Sequence, residues 1–141
     1  MTYKDLKNNI DVDKVIDPVV ITDNTASVGS IIDTKGFGSV TFVIAVGTLS
    51  DSDATLTVSI DDGDDASLSD AAAVDDAFLI GTEDLASFTF ADDGEVRWIG
   101  YSGKKRYVRL TLTPADNTGN IPVSAVAVKA HPESVPTTLD S

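Results

Sequence analysis

The chain has 141 residues, no cysteine and a formal net charge of −13. This length suits one domain with a single core, and the missing cysteines exclude disulfides, thiolate metal sites and a cysteine nucleophile. The acidic balance argues against nucleic acid and against an anionic membrane surface, because phosphate groups attract a positive face. With no apolar run long enough for a bilayer and no signal-peptide core at the start, we expect a soluble protein of a reducing cytosol.

The two ends of the chain predict segments outside the main fold. The apolar residues at the start fit neither a clean helix nor a clean strand when taken together; they are Tyr3, Leu6, Ile10, Val12 and Val15. Residues 1–16 therefore predict an N-terminal arm that orders against a partner. A flexible terminus without a partner is the alternative. Residues 131–141 are polar and contain two prolines, which predicts a C-terminal tail. The domain proper is therefore expected at residues 17–130.

The first half of that domain predicts short strands. Runs rich in β-branched residues, separated by Asp, Asn and Gly, predict strands at 17–22, 28–32, 39–48 and 54–60. The run at 39–48 is apolar at both odd and even positions, which predicts a central strand covered on both sides. Residues 66–76, rich in Ala and Asp, predict a long loop with a helical turn near Ala71.

The second half is more regular. Alternation predicts strands at 77–81, 85–90, 95–101, 105–113 and 121–128, with the third and fourth joined as a hairpin. Side chains alternate along a strand, so Trp98 should lie on the side opposite to Arg97 and Tyr101. This favours a core position for the Trp98 ring. Many short strands with turn signals and almost no helical periodicity predict an all-β, antiparallel β-sandwich or jelly-roll-like single domain.

The candidate chemical sites are weak, and we expect no catalytic, cofactor-binding or metal-ligating residues. His131, the single histidine, lies in the predicted tail, away from any serine nucleophile. The run Asp61–Asp65 offers oxygen ligands but lacks the spacing of a calcium loop, so a solvated loop is favoured and calcium stays open. A glycosidase carboxylate pair also stays open, although no two carboxylates stand out. Gly36-Phe37-Gly38 lacks the third glycine and the following helix of a nucleotide-binding loop.

The best candidate surface lies on the predicted strand at 105–113. Alternate residues of a strand point to opposite sides. One side should face the core, since it carries Val108, Leu110 and Leu112 together with Arg106. The other side carries Lys105, Tyr107 and Arg109. Tyr and Arg are enriched where proteins meet, so this side predicts a protein interface, with Arg97 and Tyr101 close by on the paired strand. The alternative is an ordinary wet face whose cations pair with aspartates.

Two segments in the last third resemble small structural proteins of tailed-phage and prophage virions. The first is Arg106-Tyr107-Val108-Arg109-Leu110-Thr111-Leu112-Thr113-Pro114, and the second is Ile121-Pro122-Val123-Ser124-Ala125-Val126-Ala127-Val128. The runs Val43–Thr48 and Trp98–Tyr101 are similar as well, so the resemblance covers residues 36 to 131. It implies a β-sandwich or jelly-roll head protein that decorates the capsid as an oligomer, without an active site.

The functional expectation is therefore a non-enzymatic capsid decoration or cement protein. It would bind the major capsid protein or another virion protein as a homo-oligomer, dimer or trimer, on the capsid surface after assembly in the host cytoplasm. The interface candidates are Lys105, Tyr107, Arg109, Arg97, Tyr101, Tyr3, Leu6 and Ile10. A tail, head–tail connector or fibre component is the first alternative, a carbohydrate- or receptor-binding module the second, and a metal-using hydrolase a distant third.

Overall fold

The computed structural model describes residues 5–133, and the structural statements below concern these residues. It contains eleven strands, one α-helix and three 3₁₀ turns. The strands are β1 (Ile10–Ile21), β2 (Ser27–Val28), β3 (Ile32–Asp33), β4 (Phe37–Val46), β5 (Thr55–Gly63), β6 (Ala72–Ala73), β7 (Leu79–Ile80), β8 (Phe88–Thr89), β9 (Val96–Tyr101), β10 (Tyr107–Ala115) and β11 (Ile121–Pro132). The helical segments are Lys7–Asn9, Asp76–Phe78, α1 (Glu83–Ala86) and Phe90–Asp92.

The strands form two antiparallel sheets packed face to face, so the predicted all-β sandwich is confirmed. The first sheet has the order β1-β11-β4-β9-β7. The second has the order β2-β10-β5-β6, with β3 also paired to β10 and β8 to β5. Four long strands, β4, β5, β10 and β11, lie inside their sheets. They carry most of the alternation of buried and outward-facing residues that the sequence shows.

The core lies between the sheets and takes one side of each long strand. Val108, Leu110 and Leu112 of β10 are fully buried, as their parity predicts. The other residues of this apolar cluster include Leu56, Val58 and Ile60 of β5, Phe42 and Ile44 of β4, Ile99 of β9, and Ala125 and Ala127 of β11. Because side chains alternate along a strand, this burial leaves the opposite side of each strand facing outward.

The predicted N-terminal arm needs correction from Ile10 onward. Residues 10–16 form the first half of β1 and pair with β11, from Ile10 opposite Ala130 to Ile16 opposite Ala125. Val15 and Ile16 are buried here, so hydrophobic burial holds this segment to the sheet. Irregular register between Lys14 and Val19 hides the alternation in the sequence.

The boundary of the predicted tail also moves. Strand β11 continues through Pro132, so His131 and Pro132 belong to the first sheet. Lys129, which is 8% exposed, lies near this end with its ammonium 2.8 Å from Asp13 and 3.4 Å from Asp11. A buried cation needs such partners, and this group ties β11 to the start of β1.

The predicted hairpin at 95–113 is wrong, because β9 and β10 belong to different sheets. Tyr101 ends β9 with its ring buried, and its hydroxyl donates to Asp62 of β5 at 2.6 Å. Gly103 lies against this ring, where a side chain would collide with the phenol. The connection therefore crosses from one sheet to the other, which lets Ile99 and Leu110 face the same core from opposite sides.

Three local predictions are also corrected. Trp98 is 67% exposed, because Ile99 and Tyr101 take the inner side of β9. The predicted helical turn near Ala71 is replaced by β6, which pairs with Asp61 and Asp62. The predicted strand at 85–90 begins instead in α1, which Thr82 caps by accepting from the Leu85 amide. No helix within residues 5–133 is both long and apolar enough to span a membrane.

Replacing Leu110 by Ala should lower the free energy of unfolding by about 2–5 kcal/mol, because it opens a cavity in the sealed core. The matched control is Thr113→Ala on the same strand, where the side chain is exposed and the change should stay within about 0.5 kcal/mol. Urea unfolding followed by circular dichroism measures both. Equal stability of the two variants would contradict the burial of Leu110.

Candidate interaction surfaces

The outer side of the second sheet carries the residues that the sequence favours for an interface. We call it the hydroxyl face, formed by Tyr107, Arg109, Thr111 and Thr113 of β10 with Thr57, Ser59 and Asp61 of β5. Tyr107, Arg109 and Thr111 are half-buried and Thr113 is exposed. Hydroxyl groups dominate this side, as expected of a sheet face in contact with water.

Arg109 is the distinctive residue of the hydroxyl face. It stands opposite Asp61 in the strand pairing, yet the two side chains form no ion pair within the described residues. Its Nε atom is buried and has no hydrogen-bond partner among the described residues. A buried donor without an acceptor costs free energy, so an acceptor from another molecule would be stabilising here.

The neighbouring cations are already paired. Lys105 precedes β10, and its ammonium lies 3.0 Å from Asp64 in an exposed ion pair. Arg106 holds Asp33 through two hydrogen bonds of 2.9 Å and stacks over Tyr107. The hydrogen bond from Arg106 lowers the pKa of Asp33 to about 2. Of the three residues predicted on this face, Tyr107 and Arg109 lie on it, and Lys105 lies at its margin.

Arg97 and Tyr101 do not join the hydroxyl face, because β9 belongs to the other sheet. Arg97 donates to Asp92 at 2.9 Å and to the Leu85 carbonyl at 2.8 Å, and its guanidinium lies over the Phe88 ring. These contacts use Arg97 to hold the segment after α1. Tyr101 is a core residue that links the two sheets.

The N-terminal candidates are spread apart. Leu6 is 68% exposed beside the Lys7–Asn9 turn. Ile10 opens β1 on the first sheet and is half-buried. Tyr3 lies outside the described residues. A protein contact through the arm, as predicted from Tyr3, Leu6 and Ile10, stays a prediction.

A second candidate surface, which the sequence interpretation missed, covers the outer side of the first sheet. We call it the apolar face. Its members, taken across the strands, are Val12 and Lys14 of β1, Ser124, Val126 and Val128 of β11, Thr41, Val43 and Ala45 of β4, Val96 and Trp98 of β9, and Ile80 of β7. Trp98 and Ile80 are 67% and 65% exposed. Exposed apolar surface of this extent marks a contact site in a monomeric fold.

The apolar face has a row of neighbouring side chains and a shallow groove. Val43 faces Trp98 on one neighbouring strand and Val126 on the other, and Val126 faces Lys14. At one end of the face, a shallow groove of about 530 Å³ is lined by residues that include Val20, Ala45, Gly47 and Pro122. Trp98 and Ile80 stand at one margin, and the groove lies towards the opposite margin.

The signal for this face was present in the sequence. The runs at 39–48 and 121–128 are apolar on both sides, a pattern that predicts a strand covered on both sides. The structure places both strands inside the first sheet, but only their inner sides meet the core. The second apolar side of β4 and β11 is therefore a candidate contact surface.

The acidic loops are engaged in local hydrogen bonds. Asp62 accepts from Tyr101, Asp64 pairs with Lys105, and Asp70 accepts from the amides of Asp64 and Asp65. Within the described part of the chain, no group of three or more acidic or histidine side chains is placed to hold a metal ion.

The sequence interpretation placed His131 far from any serine, and this is wrong. Its Nδ1 lies 2.8 Å from the Ser39 hydroxyl on the neighbouring strand. His131 has a positive φ of 52°, which turns its side chain toward Ser39 at the end of β11. A catalytic triad also needs a group that orients the imidazole, and no carboxylate bonds to His131 within the described residues.

No protein-family model matches the chain, and no curated protein matches it in sequence. Among solved structures, one chain of infectious bursal disease virus, strain Gx, superposes with a TM-score of 0.53 at 13% identity. That match covers 90% of this chain and 34% of the viral chain, so this chain spans about a third of the viral chain's length. The likeness shows a shared sandwich fold.

Two looser similarities accompany it. The SPBc2 prophage-derived protein YomS superposes with a TM-score of 0.48 at 13% identity, over 84% of this chain and 94% of YomS. The Gt strain of infectious bursal disease virus gives a TM-score of 0.45 at 9% identity, over 90% of this chain and 34% of the viral chain.

Replacing Tyr101 by Phe should lower the free energy of unfolding by about 1–3 kcal/mol at neutral pH, because it removes the hydroxyl that donates to Asp62. Burial and the Asp62 hydrogen bond raise the pKa of Tyr101 well above its ordinary value of 10. The stability that this hydroxyl contributes is therefore complete below pH 10 and is lost progressively as the pH rises above 10. Over that range the free energy of unfolding should fall less for Tyr101→Phe than for the parent.

The control for this change is Tyr107→Phe, which keeps the core intact and should stay within about 0.5 kcal/mol of the parent. Thermal unfolding from neutral to alkaline pH compares all three proteins. A Tyr101→Phe variant as stable as the parent at every pH would contradict the cross-sheet role of the hydroxyl.

Proposed function

We propose that this chain is a non-enzymatic structural protein of a tailed-phage virion, which decorates the capsid shell by docking its hydroxyl face on the major capsid protein. The observation that carries the proposal is Arg109, whose buried Nε has no acceptor among the described residues and which lies in the middle of a mostly polar sheet face. An Arg with a Tyr beside it is the kind of anchor that dominates protein interfaces. The acceptor would be a carboxylate or carbonyl of the shell protein.

The fold and charge support the same role. The sandwich fold is shared with a chain of a virus structure, infectious bursal disease virus. The net charge of −13 opposes non-specific aggregation of the free protein before assembly. On a shell with many identical sites, modest contacts repeated over the lattice give firm attachment. A tail, connector or fibre position would use the same face at far fewer sites.

Exposed Trp98 is the observation that favours the rival function, a carbohydrate-binding module. Sugar recognition needs polar groups that fix the ligand's hydroxyls beside the aromatic ring. The strand neighbours of Trp98 on the apolar face are aliphatic, with Val43 opposite it and Val96 and Ile80 nearby. Tyr101, the other aromatic candidate, is buried. The surroundings of Trp98 therefore suit apolar protein surface better than sugar.

The location of the chain is tested by cryo-electron microscopy of purified particles. Decoration predicts hundreds of copies spread over the shell, with the hydroxyl face of each shell-bound copy turned inward. A few copies at a single vertex would overturn decoration in favour of a connector or tail position. Particles that lack the chain altogether would overturn the virion role.

The docking contact is tested by Arg109→Gln, which removes the charge but keeps much of the side chain. Binding of the variant to undecorated shells should weaken by about 5-fold or more, since truncating an interface anchor costs more than about 1 kcal/mol. The matched control is Arg106→Gln, which loses the same charge on the other side of the same strand and breaks the exposed pair with Asp33 and the contact over the Tyr107 ring.

Co-sedimentation of each variant with shells measures the binding, and circular dichroism confirms that both are folded. Lys105→Gln, at the margin of the face, should have a smaller effect than Arg109→Gln. If Arg109→Gln binds shells as tightly as the parent does, the hydroxyl face is a solvent-exposed surface without a docking role.

A further inference from the structure

We propose that the apolar face joins two copies of this chain in an isologous dimer, with the first sheets stacked face to face. Like the proposed function, this inference takes the chain as part of a protein assembly, but it assigns a different surface and a different partner. Three properties of the face point to a second copy: its size, its charge and its self-complementary pattern.

The size of the face matches a small dimer interface. The five strands range from two residues in β7 to twelve in β1 and β11. At a spacing of about 4.8 Å, an average depth of about seven residues at about 3.3 Å each gives roughly 550 Å² in projection. Two copies would therefore bury roughly 1,100 Å² before side-chain relief is added, which is close to the lower limit for a specific interface. Trp98 and Ile80, both about two-thirds exposed, supply the apolar side chains that most need cover.

The charge of the face permits contact between identical copies. The chain has 23 acidic and 10 basic residues, so most of its surface repels a second copy. The strand positions of the apolar face carry no acidic side chain within residues 5–133, and their one charged member is Lys14. This depletion of carboxylates is typical of the core of an interface.

The pattern of the face is complementary to itself. Lys14, Val126, Val43 and Trp98 stand side by side in one row across β1, β11, β4 and β9. A two-fold axis that runs along the strands, between β11 and β4, reverses this row in the second copy. Trp98 then lies over Lys14 of the second copy, and Val43 lies over Val126 of the second copy.

In this arrangement Lys14 and Trp98, the two ends of the row, contact each other across the interface. An ammonium over a tryptophan ring is attractive, and among residues 5–133 the ion-pair partner of Lys14 is the exposed carboxylate of Asp17. Packed sheets cross at about 30°, which moves the row ends by only about 4 Å, well within the reach of a lysine side chain.

The test uses the purified full chain and its single tryptophan, Trp98. Sedimentation equilibrium should show a reversible monomer–dimer reaction, and the Trp98 emission should shift to the blue as the dimer forms. Higher salt should strengthen the dimer, because it screens the repulsion between two acidic copies. Val126→Asp should raise the dissociation constant by about 100-fold and keep Trp98 solvent-exposed at every concentration.

The matched control is Thr113→Asp, which adds the same charge at an exposed site of the hydroxyl face and should dimerise like the parent. Trp98→Asp serves as a second disrupting variant at an exposed position that the fold does not need. Lys14→Gln should weaken the dimer by about 5- to 30-fold, because the two-fold axis makes this exposed cation–aromatic contact twice. Circular dichroism establishes that each variant is folded.

A chain that stays monomeric at millimolar concentration in high salt would overturn the inference, and so would a trimer or an unaltered dimer in Val126→Asp. Trp98 emission that shifts only when shell protein is added would assign the face to that protein instead. The two proposals can fail separately. A Val126→Asp monomer that still binds shells would leave the docking proposal intact, whereas a dimer that binds no shell would overturn only the docking proposal.

Discussion

Each strand of the sandwich can bury only one of its two sides between the sheets, and the rest of the molecule follows from that constraint. On β10 the inner side holds Val108, Leu110 and Leu112, and the outer side is left to Tyr, Arg and Thr. On β4 the inner side holds Phe42 and Ile44, but the outer side is apolar as well. The second sheet therefore faces water with polar groups, whereas the first sheet still has apolar area to cover.

The same constraint determines which charged side chains remain available. Arg97 shares the inner side of β9 and is used by Asp92 and the Leu85 carbonyl. Lys129 shares the inner side of β11 and is held by Asp11 and Asp13. Both cations stabilise the fold at the margins of the core. Arg109, on the outer side of β10, has no such partner among the described residues, and this is why we propose it as the anchor for another protein.

Much of the fold could be predicted from alternation and turn residues, because both report the side of a strand that faces the core. Strands β4, β5, β9, β10 and β11 were found this way, together with the buried side of β10. The pairing of β9 was not predictable, because a short connection suits a hairpin as well as a crossing between sheets. The hydrogen bond from the buried Tyr101 hydroxyl to Asp62 stabilises the crossing between sheets. The local sequence carries no signal of a contact between residues 39 positions apart.

The candidate surfaces were predicted less completely for a related reason. Parity placed Tyr107 and Arg109 on one outer face, but it could not show that Lys105 is paired with Asp64. The double-sided apolar pattern of β4 was interpreted as cover from the protein's own layers, although a second molecule leaves the same pattern. In the proposed dimer the two apolar faces meet, so the two hydroxyl faces point in opposite directions. A convex shell can then engage one copy of each pair, which leaves Arg109 of the outer copy free for a further contact.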